Sequence, residues 1–220
     1  MPTATESQML TFKDWTFRLR MTQTKPDRLI ILTHGWMGDG NSMWVLAQKL
    51  SQKYTILAPR GPFPVTEGGF SWRKIKPGTW GTSSLEDLRP AVETLLTFVD
   101  DWSASAGKNV GKFDVMGFSQ GEAMVYALTL LYPERIRRLA ALSGFIPDNG
   151  DALFAMQRLS GKPVLIAHGR QDDLIPVENA RRAVSLLKRA GAQVNYCESD
   201  TCHKLSMDYL NAMEKFFGDF

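Results

Sequence analysis

Short runs of consecutive apolar residues alternate along the chain with segments whose apolar positions recur every three to four residues. The runs Arg28–Thr33, Thr55–Ala58, Phe113–Met116, Leu139–Leu142, Pro163–Ala167 and Gln193–Glu198 are apolar on both faces, as strands inside a parallel sheet are. Thr11–Arg20 differs. Its Phe12, Trp15, Phe17 and Leu19 fall mostly on alternate positions, which predicts an edge strand. The helical periods cover Asn41–Gln52, Ser84–Ala106, Gln120–Tyr132, Val177–Ala190 and Leu205–Phe217. Ser84-x-x-Asp87 opens the second with a capping signal, and Gly191 stops the fourth. Gln120–Tyr132 is apolar nearly all round and should be buried. Strand and helix taking turns predicts an α/β fold, with a mostly parallel sheet of about seven strands and helices on both faces.

Composition bounds this picture. The 220 residues are 44% hydrophobic and 22% charged, ordinary for one sizeable core, and residues 1–220 read as a single domain. Repeats, low-complexity tracts and linkers are not visible in the sequence. The net charge of +3 is spread out, with Arg135, Arg137, Arg138, Arg181 and Arg182 as its densest spots. No contiguous basic patch forms, so nucleic acid is not an expected partner. The longest apolar run, Ala123–Leu128, is far short of the ~20 residues of a membrane span. Met1–Gln8 lacks the basic and apolar regions of a secretory signal, which makes the cytoplasm the expected location. Cys197 and Cys202 have no C-x-x-C or zinc spacing and read as free, mostly buried thiols of a reducing compartment.

Chemistry concentrates at a few turns. Gly117-Phe118-Ser119-Gln120-Gly121 stands where a buried strand meets a buried helix, the context of a nucleophile elbow. Such a turn strains the serine backbone and presents its hydroxyl at a helix N-terminus. The rival reading makes Ser119 a helix cap, since Ser119-x-x-Glu122 has capping-box spacing. A serine nucleophile needs a base, and only His34, His168 and His203 are available. In this fold the order is serine, acid, histidine. His168 ends an apolar strand and reads as structural, which leaves His203, in the loop before the last helix. Asp172 and Asp173 follow the strand Pro163–Ala167, and either can orient the imidazole, while Asp200 is a local rival outside the usual order. His34-Gly35-Trp36-Met37-Gly38-Asp39-Gly40 is a glycine-bearing loop able to aim a backbone N–H at an oxyanion, with the N–H of Gln120 as second donor.

These residues resemble the carboxylesterase/phospholipase family of small α/β-hydrolases, which includes acyl-protein thioesterases. The matching pieces are His34-Gly35, Gly38-Asp39, Gly68-Gly69 with Trp72, the elbow, Leu142-Ser143-Gly144-Phe145-Ile146-Pro147, His168-Gly169-x-x-Asp172-x-x-x-Pro176 and His203. The resemblance implies an ester or thioester hydrolase with the triad Ser119, Asp172 and His203. It implies oxyanion donation by the N–H groups of Gln120 and Trp36. The His34 loop reads one residue longer than the family spacing, which brings in Met37 in place of Trp36. Glu122 stands where a small residue is usual, and a carboxylate there would oppose the oxyanion. Cys202 stands where glycine is usual.

Only Gly144–Lys162 separate two strands at the usual lid position, too few for a cap domain, so the site should be open. Phe70, Trp72, Phe145 and Leu174 are the expected substrate walls, with Trp36, Met37, Phe118 and Ile175 around them. An apolar trough favours small to medium acyl or aromatic esters. Arg73, Arg170 and Lys204 are candidates for an anionic head group. The long segment Pro59–Ser83 carries Phe63, Phe70, Trp72 and Trp80 and reads as a packed loop beside the site. No phosphate loop, dinucleotide fingerprint or metal constellation is visible, so no cofactor or metal is expected. Whether the chain is a monomer or homodimer stays open. A non-catalytic binder on the same fold and an acyltransferase are the rival functions.

Overall fold

The computed structural model describes residues 7–22, 25, 27–75, 82–154 and 158–218. Trp80 lies outside them. Eight strands form one sheet. They are β1 (Gln8–Phe12), β2 (Trp15–Arg20), β3 (Arg28–Thr33), β4 (Tyr54–Pro59), β7 (Phe113–Phe118), β8 (Ile136–Leu142), β9 (Pro163–Gly169) and β10 (Gln193–Ser199). The strands β5 (Phe63–Pro64) and β6 (Phe70–Ser71) make a small separate hairpin. The sheet order is β1-β2-β4-β3-β7-β8-β9-β10. From β4 to β10 every pairing is parallel, while β1 and β2 are antiparallel additions at one end.

The helices are α1 (Trp44–Ala47), α2 (Leu85–Ser105), α3 (Gln120–Leu131), α4 (Asp151–Phe154), α5 (Glu178–Arg189) and α6 (Met207–Gly218). Successive residues of each central strand point to opposite faces. Thus Ile31, Val115, Leu139 and Ile166 pack with α2, α3 and α5, while Ile30, Met116, Ala140 and Leu165 pack with α1 and α6. Strands covered on both faces must be apolar throughout, which is why the runs were continuous rather than alternating.

Two expectations need correction. Thr11–Arg20 is not one edge strand but parts of two, folded back through Lys13 and Asp14 with Lys13 at φ 51°. The sheet therefore has eight strands rather than about seven, and β1 is the edge. Asn41–Gln52 is helical only over Trp44–Ala47. The carbonyls of Ala47, Leu50 and Ser51 accept from the buried Arg20 guanidinium at 3.1, 3.2 and 3.0 Å, and the backbone beyond Ala47 continues in three-residue turns, with the Leu50 N–H donating to the Ala47 carbonyl. The capping box at α2 is present: Ser84 and Asp87 each bind the other's backbone N–H. Between β8 and β9 the described residues hold one short helix, α4.

Candidate active site

Ser119 joins β7 to α3 with φ 55° and ψ −119°, a backbone conformation that costs about 1–3 kcal/mol outside glycine. The flanking glycines permit that turn. A Cβ on Gly117 would lie 2.1 Å from the Gly121 carbonyl oxygen, and one on Gly121 would lie 2.1 Å from that of Thr33. Ser119 makes no side-chain capping bond to α3, so the capping-box reading fails. Its Oγ lies instead 3.0 Å from His203 Nε2.

His203 follows β10 and reaches across 84 residues of sequence to Ser119. Its Nδ1 lies 2.7 Å from Asp172 Oδ2, and its ring meets Phe118 at a centroid distance of 5.2 Å. Asp172 is buried in the turn after β9, where its Oδ1 accepts from the N–H groups of Leu174 and Ile175 at 3.1 and 2.8 Å. A carboxylate accepts, so His203 Nδ1 carries the proton and Nε2 faces Ser119 as an acceptor. Asp173 is exposed. Asp200 is exposed too and pairs with Arg170 at 2.8 Å. Neither shares this geometry.

Two other histidines serve the frame. Buried His34 accepts the Gly61 N–H at Nε2 (2.8 Å), so its Nδ1–H donates to the Gly35 carbonyl at 2.6 Å. Burial lowers its pKa to about 4, and it stays neutral. His168, structural at the end of its strand, also touches the acid. Its Nε2–H donates to the Ile175 carbonyl at 2.8 Å and lies 3.4 Å from Asp172 Oδ2. The sequence signal was available in the His168-Gly169-x-x-Asp172 spacing, whose four-residue step brings the imidazole under the turn.

Glu122 is fully buried one turn into α3, with Oε2 accepting the Gly144 N–H at 2.6 Å. Burial raises its pKa to about 8, against the pull of that N–H and of the Tyr126 hydroxyl. Burial therefore favours the neutral acid, which weakens any charge it would set against the oxyanion position.

A cavity of about 350 Å³ opens over Ser119, lined by Gly35, Trp36, Phe118, Gln120, Phe145, Leu174, Ile175 and His203. Phe145, Leu174 and Trp36 therefore face it. Met37 does not and lines a neighbouring hollow. Gly35 abuts the nucleophile, since a Cβ there would lie 3.2 Å from Ser119 Cβ. Trp72 and Phe70 are not walls of this cavity. Trp72 is fully buried, its Nε1–H donating to the His34 carbonyl at 2.8 Å and its backbone N–H to Gln120 Oε1 at 3.0 Å. Phe70 stacks under the Arg60 guanidinium at 4.1 Å. Arg73 is also scaffold: buried, it donates to Ser83 Oγ at 2.6 Å and to the Thr82 carbonyl at 2.5 Å. Arg170 is engaged by Asp200, and Lys204 is exposed. Cys197 is half-buried and Cys202 exposed, so the thiols are free but not mostly buried. Among the described residues no group of His, Cys, Asp and Glu could hold a metal ion, and no helix is long and apolar enough to cross a membrane.

A parallel sheet wrapped by helices, with its polar turns gathered after β3, β7, β9 and β10, is the α/β-hydrolase fold. A carboxylesterase from Mesorhizobium loti shares it with a TM-score of 0.80 at 23% identity, over 96% of this chain and 98% of that one. A Bacillus cereus carboxylesterase does so with a TM-score of 0.80 at 20% identity, over 93% of each chain. The chain belongs to the phospholipase/carboxylesterase family, whose model matches residues 17–218. It is 30% identical over 165 residues to a rice (Oryza sativa subsp. japonica) protein named a probable inactive carboxylesterase, with 67% of each chain covered. It is 26% identical over 174 residues to acyl-protein thioesterase 1 of Kluyveromyces lactis, covering 71% of this chain and 75% of that one. The match spans only 63% of an Arabidopsis thaliana probable carboxylesterase SOBER1-like protein.

Proposed function

We propose that this chain hydrolyses carboxylic esters or thioesters through a covalent acyl-enzyme. The observation that carries the reading is the unbroken line from Ser119 Oγ to His203 Nε2 (3.0 Å) and from His203 Nδ1 to Asp172 Oδ2 (2.7 Å). Ser119 Oγ attacks the carbonyl carbon while His203 Nε2 takes its proton, and Asp172 stabilises the imidazolium. The oxyanion sits at the N-terminus of α3, where the N–H of Gln120 and that of Trp36 are the donors. His203 then returns the proton to the leaving oxygen or sulfur. Water, deprotonated by the same imidazole, releases the acid and restores Ser119. Trp36 is favoured over Met37 because it lines the reacting cavity. Phe145, Leu174 and Ile175 supply apolar contact for the acyl group. No step requires a metal or cofactor.

The test is a p-nitrophenyl ester series from C2 to C12 with wild type and Ser119→Ala. Wild type should turn over the shorter esters, and the variant should lose about a thousandfold or more in kcat. Equal activity in the two would remove Ser119 from the reaction.

A further inference from the structure

His168 lies fully buried at the end of β9, four residues before Asp172. Its Nδ1 has no hydrogen-bond partner among the described residues. A buried polar atom left unpaired destabilises a fold, and an aliphatic side chain would fill the same space without that cost. An imidazole at this position therefore calls for a use of its other nitrogen. Nε2 lies 2.8 Å from the Ile175 carbonyl oxygen and 3.4 Å from Asp172 Oδ2. Both are acceptors, so the single proton of the neutral ring sits on Nε2. Burial lowers the pKa of His168 and favours that neutral form.

The turn that carries the acid is tied at its start to the neighbouring chain. The Arg170 N–H donates to the Ser199 carbonyl at 2.9 Å, and the Gln171 N–H to the Thr201 carbonyl at 3.1 Å. The far end of the turn is held differently. Ile175 is bonded on both sides: its N–H donates to Asp172 Oδ1 at 2.8 Å, and its carbonyl accepts from His168. His168 thus ties the end of the turn back to the strand from which the turn departs.

We propose that His168 is a positioning residue, which pins Ile175 and so sets the Asp172 carboxylate with Oδ2 aimed at His203 Nδ1. The inference rests on the triad reading above. Oδ2 is the oxygen that His203 uses, at 2.7 Å, and His168 Nε2 approaches the same atom from β9. Oδ1 is occupied by the N–H groups of Leu174 and Ile175. With both oxygens engaged and Ile175 anchored, the carboxylate has no free rotation away from His203. His168 itself is not among the residues that line the cavity over Ser119, so it acts through Asp172 alone and touches no reacting atom.

The experiment compares His168→Gln with His168→Asn by p-nitrophenyl butyrate kinetics and by proton NMR. An extended glutamine can place its amide N–H where Nε2 lies, whereas the shorter asparagine reaches only the Nδ1 position. Both variants bury an amide, so a purely structural cost falls on both. A misplacement of about 1 Å can cost on the order of 100-fold in rate. His168→Asn should therefore lose about 10- to 100-fold, in kcat rather than KM, while His168→Gln stays close to wild type. The downfield resonance of the His203 Nδ1–H bonded to Asp172 should persist in His168→Gln and fade in His168→Asn. Equal kcat in the two variants, at the wild-type level or below it, overturns the proposal, as does a loss confined to KM. Nitrogen-15 NMR of the wild-type chain decides without any variant: His168 should be protonated on Nε2, and a proton on Nδ1 instead overturns the proposal. A wild-type chain that neither takes a fluorophosphonate label nor hydrolyses any ester overturns the triad reading and this inference with it, a result told apart from the others by the missing label.

Discussion

Glu122 should be more expensive to the fold than an amide at the same position, and increasingly so as the pH rises. Its side chain is fully buried, and its pKa rises from 4.5 to about 8 on folding. Below pH 4.5 the carboxyl is protonated in both folded and unfolded chains, and the site has no pH dependence. Between 4.5 and about 8 the unfolded chain is ionised while the folded one must hold a proton. Each pH unit in that window removes about 1.4 kcal/mol of stability. By pH 7.5 the loss reaches about 4 kcal/mol, and above about 8 it levels off. Glu122→Gln keeps an acceptor for the Gly144 N–H and never ionises. Burying the new amide N–H groups costs about 1–3 kcal/mol, which leaves a net gain of about 1–3 kcal/mol at pH 7.5. For a chain of this size that is roughly 2–12 °C in Tm. Thermal melts of both proteins from pH 4.5 to 9 check it, because the difference between the two curves cancels every other titration. The variant's advantage should be absent or reversed at pH 4.5 and should grow steadily to about pH 8. A difference that is flat with pH, or that favours Glu122 more as pH rises, refutes the reasoning.

Other substitutions separate scaffold from site. Asp172→Asn should keep the fold but lower kcat by about 10³–10⁴, because the amide favours the wrong imidazole tautomer; ester hydrolysis measures it. Gly121→Ala places a Cβ against the Thr33 carbonyl and should destabilise the chain by several kcal/mol, seen as a lower denaturation midpoint or insoluble expression. Trp72→Phe removes the donor to the His34 carbonyl and should cost about 1–3 kcal/mol in unfolding experiments, with KM for short esters unchanged. Leu174→Ala should do the reverse, shifting KM and the acyl-length optimum with little effect on Tm, since Leu174 is 49% exposed at the cavity wall.

Much of this was legible in the chain because local chemistry and global fold agree. The runs that became β3, β7, β8 and β9 are apolar on every position, and only a doubly covered strand makes use of that pattern. Ser84 and Asp87 fix the start of α2 by a contact three residues long. The elbow announced itself through two glycines that no side chain could replace. Where the reading failed, the deciding contact was distant in sequence. Arg20 binds the carbonyls of Ala47, Leu50 and Ser51 from another strand, and nothing near Asn41–Gln52 shows it. The turn at Lys13 and Asp14 lacks the glycine or asparagine that marks most tight hairpins. Trp72 is an aromatic residue in a glycine-rich loop, which by composition suits a substrate wall as well as a core. Its bonds to His34 and Gln120, 38 and 48 residues away, decide for the core. The partners of Asp172 divide likewise: His168, Leu174 and Ile175 are local, while His203 reaches it from 31 residues away.

A relative named probable inactive makes the state of Ser119 the central question. Mass spectrometry of the intact protein after exposure to a fluorophosphonate answers it most directly. The account predicts one adduct, mapping to Ser119, that is lost in Ser119→Ala and strongly slowed in His203→Ala. A wild-type chain that stays unmodified, or a Ser119→Ala chain that still gains the adduct, would contradict it.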